Sequence, residues 1–433
     1  MNESQARAAV RRLLSFGRCD AMEAGVDAWS NGVTRLADNL ITQNVVTESV
    51  SVWVECAYGR RHGLASTSDF SEEALRSVVR RAEAVARVSP PDPEYMPPVI
   101  PREAGKYLVV RDYSPRTAAL GPMEKARELA AAIRMARARK LRLSGAYQNG
   151  WSLGAFGNSV GLATCHRSSS AEIHLTALGG DGSGWAQDKS FDCADINVGR
   201  VATEAAGIAE RSRGAGDLPA GKYTVILSPA ALAELLSFLI YDFDAKTADE
   251  GRSSLRGKLG KKVFGDNITI RTDPAFRECP GNPFSDGGLA SRPVDWVRHG
   301  TVANFRYSRY WAKKKRKKPT SYPSNVIMEG GNETADGMVA SMERGLLVTR
   351  FWYIRHVDPM VPSVTGMTRD GLFLVENGKV TRPVRQMRFN ENLLDLFNRI
   401  TALGRPVRTG EYMSMYLPPV KVRDFNFTST TRF

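Results

Sequence analysis

The residue types that bind catalytic metals are few in this sequence and poorly spaced for that purpose. A hydrolytic zinc needs about three protein ligands and an open position for water. The nearest approach to such a set is Cys165-His166 with His174, and the serine run at 168–170 between them is predicted to bend the chain. No two histidines are spaced i, i+4 on a predicted helix, as an HExxH site requires. The sequence therefore favours a polar strand pair near a turn over a metal site here. The five histidines are His62, His166, His174, His299 and His356.

Nucleophilic chemistry has no better support. The cysteines are widely separated, and no pair has the short spacing of a zinc ribbon or redox motif, so buried free thiols are the favoured interpretation. No GxSxG nucleophile elbow is present. The glycine-rich residues 179–184 lack the lysine of a phosphate-binding loop and are predicted to form a flexible turn. The cysteines are Cys19, Cys56, Cys165, Cys193 and Cys279.

A run of six basic residues is the strongest charge feature, and three interpretations of it stay open. Basic and aromatic residues together can follow a phosphate backbone and stack bases. A collar of cations would instead attract acidic peptide, and a solvated loop would need no ligand at all. Because a single run lacks the broad basic footprint of nucleic-acid-binding proteins, nucleic acid is the least favoured of the three. The candidate peptide-binding residues are Trp311, Lys313, Lys314, Lys315, Arg316, Lys317 and Lys318, with Tyr307, Tyr310 and Tyr322 nearby.

The composition is that of an ordinary soluble globular protein, with 42% hydrophobic and 24% charged residues. A length of 433 residues suggests two or three domains. The net charge of +14 permits anionic partners but carries no information about the fold. No apolar stretch reaches the roughly 18 residues of a membrane span, and the first residues lack the apolar core of a signal peptide. We therefore expect a cytoplasmic protein with no membrane partner.

Residues 1–215 are predicted to form an N-terminal α/β domain in which helices cover a curved antiparallel sheet. Residues 50–57 alternate apolar and polar side chains, which is typical of a half-buried strand. Asn31-Gly32 predicts a hairpin turn between flanking strands. The proline-rich residues 89–105 predict an extended connector within this domain. Apolar periodicity predicts helices at 4–16, 72–88 and 122–139 and strands within 24–67.

Residues 216–433 are predicted to form a mainly antiparallel β domain, which makes the fold class α+β. A stretch rich in glycine and proline at 213–221 marks the boundary. Short strand-like runs dominate beyond it, and Asn377-Gly378 predicts a hairpin among them. Two helices are predicted in this half, at 229–243 and 390–403.

Four segments, taken in order along the chain, resemble the TldD/PmbA family. Each segment alone is moderate evidence, and the ordered set is strong because it spreads over most of the chain. The first resembles the family's N-terminal signature, the second the entry to its second domain, the third the segment after its metal helix, and the fourth its C-terminal strands. The segments are TRLADNLITQNV with the following residues to 90, then residues 220–236, 250–274 and 345–384.

The resemblance implies a fold and an activity class. It implies an α/β N-terminal domain, a largely antiparallel β C-terminal domain, and peptide cleavage by pairs of unlike subunits. In such pairs one subunit carries HExxxH on a helix and a C-terminal cysteine, which together complete a zinc site. The other subunit, of the PmbA or TldE type, does not.

This sequence resembles the second type of subunit. The resemblance places the two metal histidines near Leu236 and Ile240 and the glutamate near Ser237, but residues 229–249 contain no histidine. No cysteine follows Cys279. The predicted helix instead carries a complete apolar stripe, so these positions are expected to pack rather than to bind metal. The stripe consists of Leu232, Leu235, Leu236, Leu239, Ile240 and Phe243.

From the resemblance we expect a PmbA/TldE-like pseudoenzyme, the non-catalytic subunit of a heterodimeric metallopeptidase complex that processes peptides. No catalytic residue and no cofactor is expected in this chain, and zinc is expected in a TldD-like partner. Residues 311–324 are more basic than the family leads us to expect, which leaves two interpretations open: an acidic peptide substrate or a specialised partner. Two alternatives stay open: a nucleic-acid-binding protein that uses residues 307–322, and a stand-alone peptidase whose site the sequence does not reveal.

Overall fold

A computed structural model describes residues 1–358, 360–410 and 413–431. Its α-helices are α1 (Glu3–Phe16), α2 (Glu72–Val88), α3 (Pro101–Ala104), α4 (Pro115–Ala119), α5 (Pro122–Ala138), α6 (Val198–Arg211), α7 (Pro229–Leu239), α8 (Ala245–Asp249), α9 (Arg309–Lys315), α10 (Ala335–Ala340) and α11 (Leu393–Asn398). Short 3₁₀ helices lie at Cys193–Asp195, Ile240–Phe243 and Asp286–Gly288.

The strands of the first half are β1 (Ala21–Ala37), β2 (Leu40–Tyr58), β3 (Arg61–Thr67), β4 (Arg142–Asn158), β5 (Ala163–Gly179) and β6 (Gly182–Ser190). Those of the second half are β7 (Gly221–Leu227), β8 (Ile270–Thr272), β9 (Phe284–Ser285), β10 (Leu289–Ala290), β11 (Val294–Arg298), β12 (Thr301–Val302), β13 (Val326–Met328), β14 (Arg344–Val348), β15 (Phe351–Asp358), β16 (Ser363–Thr368), β17 (Leu372–Glu376), β18 (Lys379–Pro383), β19 (Met387–Asn392), β20 (Ile400–Leu403), β21 (Val407–Thr409), β22 (Met415–Leu417) and β23 (Val420–Thr430). The predicted α+β class is confirmed.

The first half is a curved six-stranded sheet with the order β3-β2-β1-β4-β5-β6. Every neighbouring pair in it is antiparallel. Apolar faces of α1 and α2 form one core with strands β1, β2 and β4. Helices α5 and α6 form a second core with β4, β5 and β6. Alternating burial along the strands makes these cores, because successive side chains point to opposite faces of a sheet.

The predicted turn at Asn31-Gly32 is wrong. Both residues lie inside β1, and the chain reverses at Asp38 and Asn39, whose φ angles of 47° and 63° suit a tight hairpin. Helix α5 approaches Gly32 closely, and the Nζ of buried Lys125 donates a hydrogen bond to the Gly32 carbonyl at 2.8 Å. A Cβ on Gly32 would lie 3.2 Å from the Asn149 Oδ1 and 3.3 Å from that Nζ, so there is little room for a side chain.

The second half contains two larger sheets. One has the order β12-β11-β8-β13-β22-β21. The other runs β15-β16-β19-β23-β7-β14-β17-β18, with β20 paired to β23. Pairing is antiparallel except between β13 and β22 and between β7 and β14. The main core of this half lies around α7. Among the described residues, no helix combines the length and apolar character needed to cross a membrane.

Three further predictions are tested by the strands. The Asn377-Gly378 hairpin is confirmed, since both residues have positive φ between β17 and β18. The helix predicted over 390–403 is present but shorter: α11 begins after its cap Asn392 and ends at Asn398, and the chain then enters β20, which pairs with β23. The predicted bend at residues 168–170 is wrong, because these residues continue β5 in register with β4. The predicted domain boundary near 215 falls between α6 and β7.

Candidate functional site

Helix α7 has one buried face and one face that lines a cleft. Ser228 caps its start by accepting a hydrogen bond from the Ala231 N–H, and Pro229 occupies its first turn. The cleft-facing side chains recur at i, i+3, i+4, i+7 and i+8, as one face of a helix must. They are Ala230, Ala233, Glu234, Ser237 and Phe238.

The positions that the resemblance matched to zinc ligands divide between these two faces. Leu236 is fully buried and Ile240 is 4% exposed, so both point into the core of the second half. Ser237 lines the cleft, and its hydroxyl donates a hydrogen bond to the Glu234 carbonyl at 2.7 Å. A leucine, an isoleucine and a hydroxyl already bonded to the helix do not fit a hydrolytic zinc.

The cleft separates the first half of the molecule from the second. One cavity within it, of about 860 Å³, is walled by β6 and α6 on one side and by the start of α7 and β21 on the other. Two smaller cavities of about 390 and 290 Å³ adjoin it, and all three share Trp185 and Gln187 in their walls. A volume of this size accommodates several residues of a peptide or a small molecule.

Polar contacts join the two halves beside the cleft. The Arg408 guanidinium lies 2.9 Å from an Asp195 carboxylate oxygen and donates to the Ser190 hydroxyl at 2.8 Å. The hydrogen bond from Arg408 keeps the pKa of Asp195 below its usual range, so this carboxylate stays charged. Gln187 adds a bond from its side-chain amide to the Thr409 hydroxyl at 2.9 Å.

Arginine and aromatic side chains line the part of the cleft beside α7. The Arg350 guanidinium stacks over the Trp185 ring at 4.2 Å and lies 3.4 Å from a carboxylate oxygen of Asp370. Arg369 stacks over Trp352 at 3.9 Å. Cations fixed on aromatic faces offer both hydrogen-bond donors and flat apolar surface, which suits the carbonyl and carboxylate groups of a peptide.

The basic run lies elsewhere, and half of it is helical. Lys313, Lys314 and Lys315 form the end of α9, while Arg316 ends the helix with a positive φ. All six basic residues are exposed, and none of them lines the cavities described above. Lysines suit the last turn of a helix because its carbonyl end carries partial negative charge. The predicted peptide-binding role of the run stays a prediction.

Trp311 is only 5% exposed, so it anchors α9 rather than presenting a free ring. Its indole N–H donates to Asp249 at 2.7 Å, and the Lys315 ammonium lies 3.0 Å from the same carboxylate. Lys314 lies 4.4 Å above the ring. A ligand would therefore meet the lysines before it met the tryptophan.

His166 and His174 both lie on β5 but are too far apart to share an ion. Eight residues of strand separate them by about 26 Å. His166 instead pairs with Asp112 at 3.0 Å. Over residues 1–358, 360–410 and 413–431, the one group of three potential ligands with atoms close enough for a single ion is Cys19, Cys56 and Glu83. Sequence spacing could not reveal this group, because its members are far apart along the chain.

Comparison with known proteins gives consistent matches. The family described as PmbA/TldA metallopeptidase C-terminal domain matches residues 220–429, and PmbA/TldA metallopeptidase domain 1 matches residues 30–86. Metalloprotease PmbA of Escherichia coli O157:H7 is 23% identical, over 94% of this chain and 93% of the relative. The PmbA homologue of Haemophilus influenzae is 24% identical, over 91% of each chain.

A solved structure matches the fold over almost the whole chain. The crystal structure of TldE from Thermococcus kodakarensis superposes with a TM-score of 0.89 at 19% identity, covering 97% of this chain and 99% of that one. Fold and matched domains together define a metallopeptidase-like protein of α+β architecture. The chain belongs to the TldD/PmbA family, and the assignment expected from the sequence is confirmed.

Proposed function

We propose that this chain is the non-catalytic, PmbA/TldE-like subunit of a peptide-processing complex, in which a TldD-like partner supplies the catalytic zinc. One observation carries the proposal: helix α7 lines the cleft but turns Ala230, Glu234 and Ser237 toward it, with no imidazole. The leucines of its other face are committed to the core. Relatives that are called metalloproteases support the activity class.

In this proposal the cleft forms part of the wall of the peptide chamber. Trp185 and Trp352 give it apolar surface on the side of α7, and Arg350, held between the Glu234 and Asp370 carboxylates, gives it a fixed guanidinium donor. An extended peptide has carbonyl oxygens along its length and a carboxylate at its end, and both suit these donors. The exposed lysines of α9 would act at longer range, by raising the local concentration of acidic peptides.

An exposed apolar edge supports a partner subunit. Strand β15 lies at the edge of the large sheet, where Trp352 is 41% exposed, Tyr353 57% and Val357 54%. Met360 and Val361, which follow the strand, are each 49% exposed. Exposed apolar side chains on an edge strand favour aggregation of a lone protein, and a partner subunit can cover them.

The chamber role is tested by placing a long cation in the cleft. Ala230→Arg puts a guanidinium at a partly exposed position in the walls of two of the cavities. We expect peptide hydrolysis by the reconstituted complex to fall about tenfold or more, because the substrate is displaced from its productive position. Native mass spectrometry should find assembly unchanged.

The matched control is Ala84→Arg, an exposed position on α2 outside the cavities. It should leave hydrolysis as it is in the wild type. Equal activity of the two variants, with assembly intact in both, would remove this cleft from the proposed function.

A further inference from the structure

Three elements of the first half bring two thiols and a carboxylate together, away from the cleft. Cys19 lies between α1 and β1, Cys56 lies in β2, and Glu83 lies in α2. Their ligand atoms all lie within 4.8 Å of one another. Cys56 is fully buried, Glu83 is 6% exposed, and Cys19 is half-buried.

Local structure holds the three groups in place. Cys56 lies opposite Met22 in the β1–β2 ladder, which fixes its height on the sheet. Helix α2 packs over this part of the sheet through its apolar face. The Arg18 N–H donates to the Glu83 carboxylate at 2.6 Å, so the loop that carries Cys19 is tied to the helix that carries Glu83.

We propose that Cys19, Cys56 and Glu83 form a binding site for one divalent cation of the zinc class, with water as the fourth ligand. Zinc accepts thiolate sulfur at about 2.3 Å and carboxylate oxygen at about 2.0–2.2 Å, in tetrahedral arrangement. Such ligand atoms lie about 3.5–3.8 Å apart, so the observed spacing within 4.8 Å closes with small side-chain rotations. Water reaches the ion from the half-buried side at Cys19.

Charge favours a cation at this position. Two thiolates and a carboxylate carry three negative charges, which a divalent ion and the Arg87 guanidinium, 3.6 Å from Glu83, together balance. Binding of the cation releases the protons of both thiols, because thiolate sulfur is the ligand.

The site would be structural. An ion held by residues from the α1–β1 loop, β2 and α2 would bind that loop and helix to the sheet. It departs from the expectation that this chain carries no metal, and it is independent of the cleft and of the proposed function.

The test is metal binding by the full chain, purified under reducing conditions and dialysed against metal-free buffer. Titration with Co²⁺, followed by absorbance, should reach one ion per chain and give a thiolate-to-cobalt charge-transfer band. Zn²⁺ should displace the cobalt and raise the unfolding temperature. Cys19→Ser should weaken Co²⁺ binding about 100-fold or more and Glu83→Gln about tenfold or more, because each removes a ligand.

Cys165→Ser is the matched control, since it alters a half-buried thiol on β5 outside the cluster. It should bind cobalt as the wild type does. Cys56→Ser alters a fully buried residue and can prevent folding. In that case Cys19→Ser and Glu83→Gln decide the question. Both are expected to fold, because Cys19 lies in a loop and Gln has the same shape as Glu. Absence of the charge-transfer band, equal binding by all variants, or a Cys19–Cys56 disulfide that survives purification in reductant would overturn the site.

Discussion

Glu23, in β1, has a carboxylate oxygen that is buried without a hydrogen-bond partner. Burial raises the pKa of Glu23 from 4.5 to about 7, the Glu55 carboxylate adds to the shift, and the Arg309 guanidinium opposes it. The folded protein holds the Glu23 proton more tightly than the unfolded chain does. Protonated Glu23 therefore adds to the free energy of unfolding, and this contribution is fully present below pH 4.5. It is lost as the pH rises through about 7.

Glu23→Gln should remove this dependence, because the amide mimics the protonated acid. At pH 8 we expect the variant to be more stable than the wild type by about 1–3 kcal/mol, and near pH 4.5 the difference should be small. Urea unfolding at the two pH values measures it. Glu48→Gln, at an exposed position in β2, is the control and should be neutral at both. A Glu23→Gln effect that does not grow with pH would contradict this account.

The exposed lysines of the basic run give a second prediction. Replacing Lys313, Lys317 and Lys318 by serine should leave unfolding unchanged, since none of them is buried. If they attract acidic peptide, the KM of the complex for an acidic peptide should rise several-fold at low salt and converge with the wild type at high salt.

The charge-matched control replaces Lys106, Lys261 and Lys379, which are exposed outside the run. An equal rise in KM for the control would show a general effect of net charge, and would contradict a specific role of the basic run in attracting acidic peptide. Salt-sensitive binding of nucleic acid that is lost only in the first variant would favour the alternative function.

At the scale of elements, α7 illustrates what periodicity can predict. The stripe of apolar residues predicted a packed helix, and all six of its members are buried. The helix predicted over 390–403 is present only as α11, because the residues on either side of it belong to strands β19 and β20, and β20 pairs with β23. The turn predicted at Asn31-Gly32 is wrong because both residues lie within β1, and α5, remote in sequence, leaves little room for a side chain at Gly32.

The two faces of α7 should differ sharply in their sensitivity to truncation. Leu236→Ala leaves a cavity in the core and should reduce the free energy of unfolding by about 2–5 kcal/mol. Ser237→Ala, one residue further on the cleft side, should change it by less than about 0.5 kcal/mol. Chemical denaturation measures both, and similar losses in the two variants would mean that the faces are wrongly assigned.

At the scale of the whole molecule, the cleft could not be predicted from the sequence. It depends on contacts such as that between Asp195 and Arg408, which lie 213 residues apart. No local pattern encodes which strand edges of the two halves face each other. The resemblance located α7 within the site, but the arginine and tryptophan side chains opposite it emerged only from the packing of the halves.

The exposed edge of β15 predicts where a partner subunit associates. Trp352→Ser with Tyr353→Ser removes the largest apolar side chains from the exposed edge of β15, and should weaken association with a TldD-like subunit about tenfold or more. Sedimentation analysis of the mixed subunits measures this. Val88→Ser, at a position that is 83% exposed on α2, is the control and should associate normally. If the double variant associates as tightly as the wild type, the edge of β15 is not the interface with the partner.

The most direct test of the central claim is to ask which subunit cleaves peptide. Hydrolysis of an unstructured peptide is measured with zinc for this chain alone, for a TldD-like subunit mixed with it, and for the same mixture after the partner's HExxxH histidines become alanine. We predict no hydrolysis by the lone chain, hydrolysis by the mixture, and its loss in the partner variant. Cleavage by the lone chain, or by the mixture without the partner's histidines, would contradict a non-catalytic role for this subunit.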